Sequence, residues 1–242
     1  MCFSEDKMKR RGFFYGKYAN EYDRLGIIDT YYLAYRDLPK IINKFVKGRR
    51  ALDYGCGTGR SKRFLNGLGF QVIGVDIDEK MLNKAKENDP SGEYFLVESG
   101  NMNLFKNNNF DLILSMLTFD SVSSKKEMVK ILKEMRRILK KAGVIINITS
   151  TPDLHSHNWA SFITNFPENR NTKSGDRVKI NIRDTNIIAL DYVWGDSDFK
   201  DVFKKSGLNL IKTLKPLAKG NEPYKWVNET KIAPWFIYIL KK

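Results

Sequence analysis

Cysteine and histidine are scarce in this sequence. Its 242 residues include two of each, and the cysteines, Cys2 and Cys56, are far apart in the chain. Cys2 belongs to a polar terminal segment and Cys56 to a glycine-rich loop, so the pair indicates neither a disulfide framework nor a zinc site. We therefore predict a protein without disulfides and without a bound metal.

Long apolar runs are also absent. No run approaches the roughly 20 residues needed to cross a bilayer, and the polar segment 1–11 has no apolar region of the signal-peptide type. These absences predict a cytoplasmic protein with no membrane partner. A hydrophobic content of 42% over 242 residues is typical of one folded domain, or one domain with an insertion, around a substantial core.

Acidic residues are outnumbered by basic ones, 28 against 42, which gives a net charge of +14. Clustered lysine and arginine attract nucleic acid or anionic lipid. Here the lysines are mostly scattered, and many recur on the outer faces of predicted helices. We interpret the charge mainly as solvated surface, with an acidic substrate as an alternative, and we do not expect nucleic acid as the partner.

The chain is organised around a glycine-rich segment at 51–60, which reads Ala-Leu-Asp-Tyr-Gly-Cys-Gly-Thr-Gly-Arg. Its apolar start predicts the end of a buried strand, and three glycines then leave the backbone open to a ligand. The next apolar run, 71–75, is followed by Asp76, where a second parallel strand would place an acid beside the first loop. Such an acid can bind two ribose hydroxyls. The spacing Gly-x-Gly-x-Gly, followed by Arg60, argues against a dinucleotide site.

The segments 53–59 and 72–76 together resemble the first two motifs of class I S-adenosylmethionine-dependent methyltransferases. The resemblance extends from about residue 15 to the C-terminus and weakens between 152 and 193. It implies an enzyme that uses S-adenosyl-L-methionine as its methyl donor. The implied fold is α/β and Rossmann-like: a seven-stranded, mostly parallel sheet sandwiched by helices, with a lid or insertion after the fifth strand.

We predict four parts along the chain. Residues 1–47 form an N-terminal helical segment that covers the cofactor, and 48–150 form the cofactor-binding core, in which apolar runs alternate with helical stretches as in βαβ units. Residues 151–194 form a lid that builds the substrate pocket. Residues 195–242 complete the core sheet.

The resemblance also assigns residues to the cofactor. Asp53 and the glycine loop would shape the methionine end, Asp76 would hold the ribose, and Asn101 with Met102 would border the adenine. Asn101 stands where the family commonly has an acid; its amide oxygen can still accept one hydrogen bond, or it can simply stabilise a turn. The full predicted set is Tyr18, Tyr22, Asp53, Gly55, Cys56, Gly57, Asp76, Ile77, Met81, Asn101, Met102, Ser115, Met116 and Leu117.

Two groups in this set have a second interpretation. Tyr18 and Tyr22 belong to a Tyr-x-x-x-Tyr-Asp pattern that often lines the family's cofactor pocket, where a tyrosine face can meet a sulfonium cation. They can equally be packing residues of an amphipathic helix. Residues 115–117 follow the predicted fourth strand and would border the transferable methyl group, unless they only pack the strand end.

Methyl transfer from a sulfonium is an in-line displacement, so alignment of donor and acceptor is the main requirement. An acceptor hydroxyl or protonated nitrogen must also lose a proton. The candidate bases are His155 and His157 in the predicted lid and Asp120 after the fourth strand. The alternative is that the histidines are surface or packing residues and that Asp120 caps a turn.

The absence of two motifs narrows the range of methyl acceptors. Residues 115–118 carry no Asp/Asn-Pro-Pro-Tyr/Phe signature of nucleic-acid amine methyltransferases, and the chain has no Pro-Cys pair, which argues against base flipping. We predict methyl transfer to nitrogen or oxygen of a small, aromatic or heterocyclic molecule. The alternatives are an RNA or protein methyltransferase and a non-catalytic cofactor-binding protein; a monomer and a homodimer are both open. Aromatic residues that would stack on the acceptor, or else form the lid core, are Trp159, Tyr192 and Trp194.

Overall fold

The computed structural model describes residues 15–242, in which strands and helices alternate. The strands are β1 (Arg50–Tyr54), β2 (Gln71–Asp76), β3 (Glu93–Leu96), β4 (Phe110–Met116), β5 (Leu139–Ser150), β6 (Phe162–Ile163), β7 (Arg177–Ile182), β8 (Ile188–Tyr192), β9 (Asn209–Leu214) and β10 (Trp235–Lys241). The α-helices are α1 (Ala19–Asp23), α2 (Asp29–Tyr35), α3 (Leu38–Phe45), α4 (Arg60–Gly67), α5 (Glu79–Asn88), α6 (Lys125–Ile138) and α7 (Asp196–Lys205). Short 3₁₀ helices occur at Tyr15–Tyr18, Phe119–Ser121, Pro152–His155 and Pro167–Asn169.

Seven strands form one sheet in the order β3-β2-β1-β4-β5-β10-β9. The first five strands of the chain pair in parallel, whereas β10 lies antiparallel between β5 and β9. The central strand β4 is a nearly continuous apolar run, as expected for a strand that helices cover on both faces. The predicted Rossmann-like α/β class, with seven mostly parallel strands, is confirmed.

The core lies in two layers, one on each face of this sheet. Because successive side chains of a strand point to opposite faces, Leu112 and Ile146 pack on the same side as α2 and α3, while Ile113 and Ile145 pack against α6 and α7. Helix α6 begins at Ser124, whose Oγ accepts a hydrogen bond from the Glu127 backbone N at 3.2 Å. Its apolar stripe is buried, as its helical spacing predicts.

A second, small antiparallel sheet, in the order β6-β7-β8, falls within the segment predicted as a lid. Its inner residues Phe162, Ile180 and Ala189 share one apolar cluster with Ile146 and Trp235 of the large sheet. The small sheet therefore packs on the large sheet, and β8 reaches the loop that follows β4. Within residues 15–242, no helix is long and apolar enough to span a membrane.

Candidate active site

A cavity of about 670 Å³ lies at the carboxyl ends of β1, β2 and β4. This is the edge at which open α/β sheets bind their ligands. Its walls come from the loops after these strands, from the loop after β3, from α6 and from the N-terminal tyrosines. The cavity therefore brings together segments from the first 131 residues of the chain.

The glycine loop is folded back onto the end of β2. The backbone N–H groups of Gly55 and Cys56 donate to the carbonyl oxygen of Val75 at 2.8 and 3.0 Å. Gly55 has a φ of +73°, and a Cβ there would lie 2.3 Å from Oγ1 of Thr118. No other residue type fits this turn without moving Thr118. The loop consequently presents Gly57 to the cavity.

Asp76 connects this loop to the end of β2. Its Oδ2 accepts a hydrogen bond from the Gly57 backbone N at 2.8 Å, and its Oδ1 accepts one from the Asp78 backbone N at 2.9 Å. Burial raises the pKa of Asp76 to about 6, against the opposing effect of these N–H donors. Each carboxylate oxygen can accept further hydrogen bonds. The carboxylate lines the cavity and is suited to a pair of ribose hydroxyls.

Charge in the cavity lining is mainly acidic. Within the described part of the chain, the lining includes the acids Asp76, Asp78, Glu98 and Glu127 and one basic residue, Lys130. The Nζ of Lys130 donates to the carbonyl oxygen of Ser99 at 2.9 Å. Apolar atoms supply most of the remaining wall. A nucleoside that carries a sulfonium and an ammonium group matches such a lining, because acids stabilise cations and the apolar wall accommodates the base.

Asp53 lies behind the glycine loop instead of in the cavity wall. It is completely buried, and its Oδ2 accepts a hydrogen bond from Ser61 Oγ at 2.7 Å. Its Oδ1 is sealed among the described residues without a hydrogen-bond partner. Burial raises the pKa of Asp53 to about 7. The Asp53 carboxyl therefore supports the glycine loop by linking β1 to the first turn of α4, which lie on either side of this loop.

The two predicted adenine contacts, Asn101 and Met102, do not line the cavity in the structure. Asn101 Oδ1 accepts a hydrogen bond from the Asn103 backbone N at 3.2 Å, and the Met102 side chain is buried. In this loop the cavity is lined by Glu98 and Ser99 instead. Glu98 is thus the carboxylate available to an adenine amino group, and its position directly after β3 was the sequence signal for it.

The predicted cofactor residues divide into two groups. Those that line the cavity are Tyr22, Gly55, Gly57, Asp76, Ile77, Met81, Met116 and Leu117. Those that do not line it are Tyr18, Asp53, Cys56, Asn101, Met102 and Ser115. Ser115 is buried on the inner strand β4, so its hydroxyl is directed into the packed core.

Neither histidine lies at the cavity. His155 is 1% exposed, its Nδ1 is sealed without a partner among the described residues, and burial lowers its pKa to about 4. His157 is half-buried, and its Nδ1 lies 3.0 Å from Ser156 Oγ and 3.1 Å from the Asp153 carbonyl oxygen. These positions do not support the prediction that either histidine is the catalytic base.

The predicted stacking residues pack in the protein core, Trp159 in the apolar cluster of the small sheet and Trp194 and Tyr192 in the cluster that contains α6 and α7. Trp159 is fully buried and donates from Nε1 to the Leu154 carbonyl oxygen at 2.8 Å. Trp194 is buried and donates from Nε1 to the Val122 carbonyl oxygen at 3.0 Å. Tyr192 is half-buried, and none of these three rings lines the cavity. Their placement favours the alternative interpretation as core.

Asp120 is buried next to the cavity. It accepts hydrogen bonds from the Thr149 hydroxyl and from Ser150, whose backbone N lies at 3.0 Å and whose Oγ lies at 3.1 Å. Its neighbour Ser121 lines the cavity and donates to Oδ1 of Asp191 at 3.3 Å. Asp191 belongs to β8 and was not predicted as a site residue, because nothing in the local sequence places β8 beside the loop after β4.

The architecture and the cavity agree with the comparisons with known proteins. A family model described as a methyltransferase domain matches residues 52–147. A solved S-adenosylmethionine-dependent methyltransferase from Clostridium acetobutylicum superimposes with a TM-score of 0.64 over 94% of this chain and 98% of that one, at 19% identity. Residues 52–147 therefore match a methyltransferase domain, and the solved structure shares the fold of the chain. S-adenosylmethionine is accordingly the cofactor expected in the cavity.

Curated relatives match only part of this chain. A protein described as 18S rRNA (guanine-N(7))-methyltransferase from Bos taurus is 37% identical over 65 residues, which cover 27% of this chain and 23% of that protein. An uncharacterized methyltransferase, YodH, from Bacillus subtilis is 35% identical over 101 residues, 40% of this chain and 41% of that one. The chain thus matches less than half the length of either relative.

Proposed function

We propose that the chain is an S-adenosylmethionine-dependent methyltransferase that acts on nitrogen or oxygen of a small molecule. The observation that carries the proposal is the cavity lined by Asp76 and Gly57 together with Ser121 and Tyr15. Its volume of about 670 Å³ is in the range of small-molecule pockets. Residues suited to hold a nucleoside and residues that can face an acceptor therefore share one enclosed space.

Different residues of the chain would bind different parts of the cofactor. Asp76 would hold the ribose and Met81 would pack on the nucleoside, while Glu98 is available to the adenine amino group. When bound, the cofactor supplies an electrophilic methyl group on a sulfonium. The protein contributes alignment, which can be worth about 7 to 11 kcal/mol in such displacements.

The wall beside the reacting end is held in an unusual backbone conformation. Leu117 has a φ of +59°, which is uncommon for a branched residue, and its backbone N donates to the Ile148 carbonyl oxygen at 2.8 Å. Strain of this kind, of order 1–3 kcal/mol, concentrates at functional sites. Tyr15 and Tyr22 also line the cavity. Their rings pack edge to face with centroids 5.4 Å apart and help to exclude water.

The distribution of charge supports a small molecule over a nucleic acid. A basic hollow of about 550 Å³, lined by Lys133, Arg136, Arg137, Lys205 and Lys242, includes the turn that precedes β4. The cavity is at the other end of β4 and has an acidic lining. Phosphates would be attracted away from the cavity. The relative described as an rRNA methyltransferase makes an RNA acceptor the second candidate.

Isothermal titration calorimetry with S-adenosylhomocysteine tests cofactor binding. Asp76→Asn should weaken binding by about tenfold to a hundredfold, because hydrogen bonds to a charged acceptor contribute about 1.5–3 kcal/mol. The matched control is Glu87→Gln, since Glu87 is an exposed carboxylate of α5 whose ion pair among residues 15–242 is with Lys84. Absence of binding to the wild type, or equal binding by both variants, would refute the proposal.

The acceptor class is tested separately by the formation of S-adenosylhomocysteine from S-adenosylmethionine. Small amines and alcohols are compared with total RNA as methyl acceptors. We expect turnover with a small molecule. Turnover with RNA alone, together with steeply salt-dependent RNA binding, would favour the second candidate.

A further inference from the structure

Asp191 lies where the small sheet meets the cavity. It is 6% exposed, and its Oδ1 accepts hydrogen bonds from Ser121 Oγ at 3.3 Å and from the Tyr15 hydroxyl at 3.5 Å. Both donors line the cavity. The Asp191 carboxyl, on β8, therefore contacts side chains that line the cavity. Strand β8 lies outside the matched methyltransferase domain.

The Asp191 carboxyl has capacity for another hydrogen bond. Within residues 15–242 no donor reaches its Oδ2, since the bonds to Ser121 and Tyr15 both end on Oδ1. Oδ2 is also not among the buried side-chain atoms that are sealed without a partner. A carboxylate that is more than nine-tenths buried, with one oxygen unpartnered and not sealed, is suited to a ligand donor.

Among residues 15–242 no cation compensates the charge of this acid. No Lys, Arg or His side chain of the described residues forms an ion pair with Asp191 or with the neighbouring Asp120. The other titratable groups that face Asp191 are the phenols of Tyr15, Tyr22 and Tyr31, which are neutral. Burial, followed by the charge of Asp120, raises the pKa of Asp191 to about 8.

Building on the proposed function, we propose that Asp191 binds the amino group of the methyl acceptor and takes its proton, so that the substrate class is a small amine. An ammonium provides the missing cation and donates to the unpartnered Oδ2. An aliphatic amine is protonated at neutral pH, so its nitrogen must lose one proton before it has a lone pair to attack. An alcohol carries no charge and would leave the buried acid uncompensated.

The proposed step balances as follows. One N–H bond of the ammonium breaks, and its proton passes to the Asp191 carboxylate. The nitrogen lone pair forms a bond to the methyl carbon, while the carbon–sulfur bond breaks and its electron pair stays on sulfur. The products are the N-methylated ammonium, S-adenosylhomocysteine and a protonated Asp191, which then releases its proton to solvent.

The test compares Asp191→Asn with Asp184→Asn. Asp184 is an exposed residue in the turn between β7 and β8 with a φ of +59°, a conformation that asparagine adopts well. Matched amine and alcohol pairs of the same skeleton serve as acceptors, among them 2-phenylethylamine with 2-phenylethanol and tryptamine with tryptophol. The measurements are kcat and KM against pH, with cofactor affinity measured by calorimetry.

We expect methylation of at least one amine in preference to its alcohol, with a rate that falls on the acid side of about pH 8. Asp191→Asn should lower kcat/KM by about a hundredfold or more, the usual range for a lost general base, and should leave cofactor affinity unchanged. In the Asp191→Asn variant, the acid limb of the pH profile should also disappear. Asp184→Asn should behave as the wild type.

A milder variant covers the case in which Asp191→Asn does not fold. The hydrogen bond from Ser121 lowers the pKa of Asp191, so Ser121→Ala should shift the acid limb to higher pH. The proposal fails if the wild type binds S-adenosylmethionine but prefers alcohols or methylates none of the amines. It also fails if neither variant changes the pH profile. Loss of cofactor binding by the wild type would instead refute the proposed function.

Discussion

Replacing Gly57 with alanine should separate cofactor binding from folding. Gly57 has a φ of +53°, donates its backbone N–H to Asp76 and faces the cavity. Gly69, after α4, has a φ of +82°, and apart from Gly69 itself and its two chain neighbours no atom of residues 15–242 lies within 4 Å of the position that its Cβ would take. Gly57→Ala and Gly69→Ala therefore introduce similar backbone strain. Only the first adds a methyl group to the cavity wall.

The expected cost in stability is similar for the two variants. A left-handed backbone costs an alanine about 1–2 kcal/mol, which corresponds to a fall of about 2–8 °C in Tm for a chain of this size. At position 57 the new Cβ would lie 3.2 Å from Met81 Cε and 3.6 Å from Tyr22 Cε1. The end of the Met81 side chain is flexible and can move by a few tenths of an ångström. The methyl group therefore narrows the cavity without unfolding the protein.

Thermal unfolding followed by circular dichroism measures the stability, and calorimetric titration with S-adenosylhomocysteine measures the affinity. For Gly57→Ala we expect affinity to fall by about tenfold to a hundredfold, since overpacking costs about 1–3 kcal/mol. Gly69→Ala should bind as the wild type does. If Gly57→Ala binds the cofactor normally, or if both variants lose affinity equally, the assignment of this loop as the cofactor contact is wrong.

Three further predictions concern buried groups. Burial raises the pKa of Asp53 to about 7, so between the pKa of the unfolded chain and this value the folded form holds a proton that the unfolded chain has released, and the free energy of unfolding of the ligand-free protein should fall between about pH 4 and pH 7. Denaturant titrations measure this fall, and Asp53→Asn should reduce it. Trp159→Phe removes the hydrogen bond to Leu154 and should cost about 1 kcal/mol of stability without changing the acceptor's KM. Asp89→Ala removes the partner of the buried Lys62 ammonium and should cost about 3 kcal/mol in urea titrations, with cofactor affinity unchanged.

Local sequence patterns predicted the cofactor end of the site well. The run 71–76 was predicted as the second strand and is β2, and the run 110–115 falls within β4. Glycine spacing and an acid at a strand end are short-range signals, because the backbone turn and the parallel crossover are set by neighbouring residues. Gly57 and Asp76 consequently meet in the structure as predicted, with 2.8 Å between N and Oδ2.

The loop after β3 shows where local patterns fail. We predicted Asn101 as the polar contact for adenine and did not predict Glu98, three positions earlier. Gly100 has a φ of +62° and turns the chain between them, so that Asn101 bonds within its own turn while Glu98 lines the cavity. A change of direction at one glycine decides which side chain reaches the ligand, and element boundaries are the least predictable part of a sequence.

The part of the site that we propose binds the methyl acceptor is formed by contacts between segments that are far apart in the sequence. Ser121 and Asp191 are 70 positions apart and belong to different sheets. The alternating burial of β8 identified an inner face, but the pattern carries no information on which loop of the large sheet that face meets. The predicted lid, 151–194, did contain the missing carboxyl, whereas the histidines in the same segment are turned away from the cavity.

Asp76, which lines the cavity, and Asp191, which bonds to two lining residues, illustrate how the environment of an acid sets its role. Asp76 receives two backbone N–H bonds, which stabilise its charge, and its pKa of about 6 leaves it ionised at neutral pH as a hydrogen-bond acceptor for the ribose. Asp191 receives only hydroxyl bonds and lies beside the like charge of Asp120, so that its pKa is higher, about 8. Separation of pKa values between neighbouring acids is the usual basis for distinct binding and proton-transfer roles. A cavity that must bring a cationic donor and an amine together requires this difference, because removing the proton from the amine ends the repulsion between two positive charges and exposes the attacking lone pair.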